Sequence, residues 1–174
     1  MLRTSVLLFM MMTFMGCPGE EDCNDMASQA IVPNLATITP LKALYEKDET
    51  ITFSLIVPSE NNYFGATVDI FQQTQDSAPL FSFSSRQPFE GNTVNVIKGA
   101  KAKYVNQHYL HYNADNNSYE LIIEITLNTV GEYLIHSLKD RIDFQGDSYC
   151  NRFLIETNVE GTNADYKIEF EVTE

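Results

Sequence analysis

The sequence predicts an all-β fold: an antiparallel two-sheet β-sandwich of about eight strands. Three observations carry that expectation. Apolar and polar residues alternate at period two through one segment after another. Clusters of Gly, Asn, Asp and Ser separate the segments. Helical periodicity is nearly absent, which leaves no crossover helices to join parallel strands.

Taken in order, "PLKALYEK" at 40–47 has room for one short helical turn. "TITFSLIV" sets Ile51, Phe53, Leu55 and Val57 on one side and Thr50, Thr52 and Ser54 on the other, and Pro58 ends the run. "FGATVDIF" alternates Phe64, Ala66, Val68 and Ile70 and is expected to be the next strand, with "LFSFS" and "TVNVI" as shorter ones. "YELIIEITL" turns Leu121, Ile123, Ile125 and Leu127 inward, and "EYLIHSL" follows across Gly131. "RFLIETNV" aligns Phe153, Ile155, Thr157 and Val159. "YKIEFEV" sets Tyr166, Ile168, Phe170 and Val172 against Lys167, Glu169 and Glu171. Turn chemistry falls at 59–62, 90–92, 113–117, 145–147 and 160–163. One-sided alternation implies two packed sheets, each with one face in the core.

Two stretches add a resemblance. "YEKDETITFSLIVP" resembles the early-strand pattern of immunoglobulin-like modules in bacterial surface proteins, where Tyr-x-x-Gly-Asp-Thr precedes the strand; Asp48 stands in the glycine's place. "LNTVGEYLI" resembles their late hairpin. The resemblance implies an immunoglobulin-like sandwich over residues 34–174 and no particular activity.

The start of the chain addresses location. The apolar run Val6 to Met15 is too short to cross a bilayer, which takes about 20 helical residues. With Arg3 ahead of it, it has the form of a signal-peptide core. "TFMGC" resembles the lipobox of bacterial lipoproteins. That resemblance implies removal of residues 1–16, lipidation of Cys17 and a lipidated tether over 17–33. Pro18 is not the aspartate that retains such proteins at the inner membrane, and "EED" at 20–22 is similar to an acidic surface-export signal. The expected location is therefore the cell envelope, at the outer membrane and displayed outward. Cys23 and Cys150 are left as an even pair in an oxidising compartment and are expected to form a disulfide.

The formal charge of -13 becomes -14 when residues 1–16 leave with Arg3, their one charged residue. That acidity argues against nucleic acid as a partner. Motifs for catalysis are missing: no Gly-x-Ser-x-Gly, no His-Glu-x-x-His and no phosphate loop. "HYLH" puts His108 and His111 on opposite faces of a strand, a poor metal pair. Asn113, Asp115, Asn117 and Glu124 fall at EF-hand-like spacing, but Ser118 replaces the turn glycine and strand periodicity follows, so a polar hairpin tip is expected. No cofactor is expected.

One surface stands out. "KAKYVNQHYLHY" at 101–112 mixes lysines with tyrosines in an acidic chain, and an unbroken strand would put Tyr104, His108 and Tyr112 on one face as a ligand surface. "DSA" at 76–78 resembles an O-glycan acceptor motif, with Ser77 as the acceptor. The expectation is a lipid-anchored envelope protein acting as a non-catalytic binding or structural module, not an enzyme. The alternatives are a glycan- or peptide-capturing accessory of an outer-membrane uptake system and a small envelope hydrolase.

Overall fold

In the computed structural model, which describes residues 27–146 and 151–174, the alternating segments form sixteen strands among the described residues. In chain order they are β1 (Ser28–Ile31), β2 (Ala36–Thr39), β3 (Leu44–Glu46), β4 (Thr50–Pro58), β5 (Glu60–Asn61), β6 (Val68–Asp69), β7 (Leu80–Ser82), β8 (Thr93–Lys98), β9 (Ala100–Lys101), β10 (Gln107–Tyr109), β11 (His111–Asn113), β12 (Ser118–Thr126), β13 (Gly131–His136), β14 (Asp140–Gln145), β15 (Arg152–Thr157) and β16 (Lys167–Thr173). One helix, α1 (Ile70–Thr74), and one 3-10 turn (Gln87–Phe89) interrupt them.

The chain folds as an all-β sandwich. Its first sheet runs β2-β4-β12, with β8 and β11 both on the far edge of β12. Its second runs β1-β15-β14-β7-β10-β9. A third, three-stranded sheet runs β13-β16-β3: β13 precedes β14 in the chain but pairs with β16, whereas β14 pairs with β15.

Eight strands were expected and sixteen are present because short segments outside the expected runs, β1, β2, β3, β5, β9, β10, β11 and β14, also find partners. The break between β13 and β14 has a visible cause. Ser137 and Asp140 are buried where the chain bends. Asp140 Oδ1 accepts the Ser84 N–H at 2.7 Å, its Oδ2 accepts the Ser137 hydroxyl, and Ser137 Oγ accepts the Val159 N–H at 2.7 Å. Burial pushes the Asp140 carboxyl up, against these hydrogen bonds. The network replaces ladder bonds that the bend removes. Nearby, the Gln87 side chain covers the open edge of β13: its Nε2 donates to Glu132 O at 3.0 Å and its Oε1 accepts the Leu134 N–H at 2.9 Å.

The core follows the alternation. Ile51, Phe53, Leu55 and Val57 of β4, and Leu121, Ile123 and Ile125 of β12 with Leu127 just beyond, are buried and face Phe81, Ile142, Phe144 and Ile155. Phe53 stacks on Phe81 at 5.7 Å and meets Phe83 edge-on at 5.3 Å. Each such side chain stabilises by roughly 1.5–3 kcal/mol when fully buried. On the outer face of the second sheet, Arg152 forks onto nearly buried Asp143 with contacts of 2.9 and 2.6 Å. Burial pushes the Asp143 carboxyl up, but Arg152 and Arg141 outweigh it and hold it below the usual range.

Five local expectations are corrected. The 40–47 stretch makes no helical turn. It becomes β3, parallel to β16, with Tyr45 buried and its hydroxyl donating to Pro40 O at 2.6 Å. The 64–71 stretch is not a strand but a turn at Gly65, the short β6 and helix α1. Asp69 caps that helix by accepting the Gln72 N–H at 3.0 Å, and local capping overrides the alternation. Pairing is not wholly antiparallel, since β1 runs parallel to β15 and β3 to β16. The sandwich begins at Ser28, inside the stretch 17–33 expected to be tether. Tyr166 does not join Ile168, Phe170 and Val172 inside: it is 43% exposed at φ +57, in the turn before β16. Cys17, Cys23 and Cys150 lie outside the described residues.

The resembled turn holds in one respect. Asp48, where the pattern has glycine, adopts φ +68, and its N–H donates to Leu127 O at 2.8 Å.

Candidate functional site

The site begins where the chain changes sheets. Gly99, at φ +94, lies between β8 on the edge of the first sheet and β9 on the edge of the second. A side chain there would press on the Tyr109 carbonyl, so only glycine lets the two strands turn this tightly. β9 then pairs with β10, setting Lys101 directly opposite His108 and Ala100 opposite Tyr109. Residues directly opposite in a ladder share a face. The connecting turn is pinned: Gln107 N–H donates to Tyr104 O at 2.9 Å, and Asn106 Nδ2 donates to Phe83 O at 2.7 Å.

Between these two edges the sheets leave a crevice of about 360 Å³. Phe89, Val94 and Val105 form its apolar lining, and Lys101, Lys103 and His108 are its charged or titratable groups. His108 is only 2% exposed and packs on the Phe89 ring at 5.3 Å. Its Nδ1 is buried without a hydrogen-bond partner. Burial, helped by the positive charge of Lys101, pushes the imidazole pKa down to about 4, so the ring is neutral at pH 7. Lys103 Nζ sits 5.3 Å from the centre of the Tyr104 ring, which is 52% exposed. Among the described residues neither Lys101 nor Lys103 forms an ion pair. In a chain with 24 acidic residues, two lysines facing one crevice with no carboxylate on either are notable.

Of the three residues expected to share a face, the structure brings two together. Tyr104 and His108 both line the crevice. Tyr112 does not, because the chain breaks at buried Leu110 and β11 crosses to the first sheet. There Tyr112 stacks on Phe71 at 3.7 Å, and its hydroxyl donates to Asn117 Oδ1 at 2.7 Å. The apolar lining from Phe89 and Val94 was not legible as part of a site, since those residues come from other elements. Lys101 was legible only as one of the basic residues of "KAK".

The remaining candidates separate. Ser77 is exposed in the loop after α1, its carbonyl accepting the Tyr112 N–H at 3.0 Å. Asn113 to Ser118 is a hairpin tip in which Asn113 Oδ1 accepts the Asp115 N–H at 3.1 Å. Glu124 lies on β12, seven residues past Asn117, so roughly 20 Å along the strand, and the calcium-loop spacing does not become a calcium loop. Among the described residues no group of three or more His, Cys, Asp or Glu is placed to hold a metal ion. A wider, open hollow of about 510 Å³ over β13 and β16 is lined by Glu132, Glu169 and Glu171. It is an outward sheet face on which Glu132 and Glu171 stand directly opposite, an unfavourable pairing of like charges.

Set against known protein families, curated proteins and solved structures, the chain matches none of them.

Proposed function

We propose that the protein is a lipid-anchored, non-catalytic binding module of the bacterial cell envelope, held at the outer membrane and displayed outward. The observation that carries this is the apolar run ending at Gly16-Cys17 and followed at once by acidic residues. The first strand begins at Ser28, eleven residues after Cys17. Even fully extended, such a segment reaches no more than about 40 Å, so the sandwich would stay close to the membrane that holds the lipid. Two or more acyl chains on Cys17 make such anchoring stable.

Replacing Cys17 by Ser is expected to abolish metabolic palmitate labelling and to release the protein from membranes. Labelling that survives the substitution would refute the anchor. A bridge between Cys23 and Cys150 would close a loop of 127 positions and stabilise the fold by roughly 4–5 kcal/mol. Peptide mapping of the exported protein without reductant should recover the linked pair. Two alkylatable thiols in the native protein would remove the bridge.

A second reading, capture of a glycan or peptide for an outer-membrane uptake system, draws on the exposed Tyr104 ring at the crevice. Exposed Ser77, in its loop, is open to glycan attachment in an exported protein.

A further inference from the structure

We propose that the crevice between β8 and the β9–β10 hairpin binds a small organic monocarboxylate, with the carboxylate held by Lys101 and Lys103 and the apolar body against Phe89, Val94 and Val105. This rests on the reading of the chain as a binding module and names what it binds.

Four observations converge. The cavity, about 360 Å³, is at the small end of ligand pockets, which run from about 300 to 1,000 Å³. It suits one ring or a short acyl chain rather than an oligomer. Its apolar lining lies at the open end of the inter-sheet core, so an apolar body entering there is removed from water. Its two ammonium groups, on the exposed Lys101 and Lys103, have no carboxylate partner among the described residues. His108 is buried with an unpartnered Nδ1 beside an open cavity. Buried polar groups are rarely left unpaired, and a bound ligand or its water is one way to satisfy this ring.

The charged groups facing His108 are Lys101 across the ladder and Lys103 in the following turn. Phe89, from the 3-10 turn, and Phe81, opposite on β7, carry no charge. Burial, helped by the charge of Lys101, disfavours the imidazolium. A carboxylate placed between Lys101 and Lys103 does the opposite, so binding and protonation of His108 are linked. The acidic bulk of the protein repels free anions, and the lysine pair gives this one opening the opposite sign.

The test uses the chain from residue 17 onward carrying Cys17→Ser, followed by NMR. Benzoate is expected to shift the His108 ring and the Lys101 and Tyr104 amides saturably, with Kd on the order of 1 mM for so small a probe. Benzamide, the same ring without the charge, should bind at least about tenfold more weakly. Saturating benzoate should raise the His108 pKa from about 4, an effect that a purely structural histidine would not show. The doubly substituted Lys101→Gln, Lys103→Gln chain should melt like its parent and bind benzoate about tenfold more weakly. Glucuronate should bind more weakly than benzoate. Four outcomes would overturn the proposal: no saturable shift up to about 20 mM, benzamide equal to benzoate, the double variant equal to its parent, or glucuronate tighter than benzoate. Because palmitate labelling is scored separately on the unsubstituted Cys17, loss of the anchor and loss of the ligand are distinct results.

Discussion

Removing residues 165–174 is expected to abolish cooperative folding, and Phe170→Ala alone to cost about 3–5 kcal/mol. β16 is the central strand of its ladder, paired with β13 on one edge and β3 on the other, so its loss leaves two strands without partners. Ile168, Phe170 and Val172 are buried, at 6%, 5% and 0% exposure. Phe170 stacks on Tyr133 at 4.9 Å and meets Tyr45 edge-on at 5.0 Å, so truncating it opens a cavity between two other rings. Three buried side chains at roughly 1.5–3 kcal/mol each are comparable with the whole stability of a domain, about 5–15 kcal/mol. Glu169 faces outward, and its change to Ala should cost under about 0.5 kcal/mol. Urea melts of the three variants beside the parent decide the matter. A truncated chain that melts cooperatively at the parental midpoint would show that the sandwich closes without β16.

Gly99→Ala should be the most damaging single change at the mouth of the crevice, at about 3–5 kcal/mol. Its φ of +94 disfavours any side chain, and a methyl group would fall 2.4 Å from the Tyr109 carbonyl oxygen and 2.8 Å from Leu121 Cδ1. The first of these atoms is backbone and held by the β9–β10 ladder, so it cannot swing aside. Gly65→Ala is the matched control. It has a similar φ of +84 but nothing within 4 Å of the added methyl, and should show only the conformational cost of about 1–2 kcal/mol. The two variants are compared by urea melts followed by circular dichroism. Equal losses would show that no close approach exists at Gly99.

The strands that were legible in advance are those whose alternation is long and uninterrupted. β4, β12 and β15 bury the residues that period two assigned to one face. The burial of Phe153, Ile155, Thr157 and Val159 shows how far a simple pattern reaches when one side of a strand must leave water. The failures share a cause. At 64–71 the apolar spacing suits a strand, but Asp69 and Ser59 offer the backbone side-chain hydrogen bonds: Ser59 Oγ accepts the Phe71 N–H at 2.8 Å and donates to Asp69 Oδ1 at 2.7 Å. Those bonds favour a capped helical turn. At 101–112 nothing local marks Leu110 as the residue where the chain leaves one sheet for the other. Its N–H donates to Pro79 O at 3.0 Å, a partner thirty-one positions away.

The sequence by itself determined the all-β class, the inward faces of the long strands and the short apolar run ahead of Gly16-Cys17, because period-two burial and a short apolar run are local properties of consecutive residues. Tertiary structure alone decided the sheet order, the pairing of eight further short segments as strands and the crevice. Each depends on which distant segments meet. His108 becomes a buried, neutral ring with an orphan nitrogen only because Phe89 and β7 close over it. Lys101 becomes its neighbour only because Gly99 lets the chain fold back across the gap between the sheets.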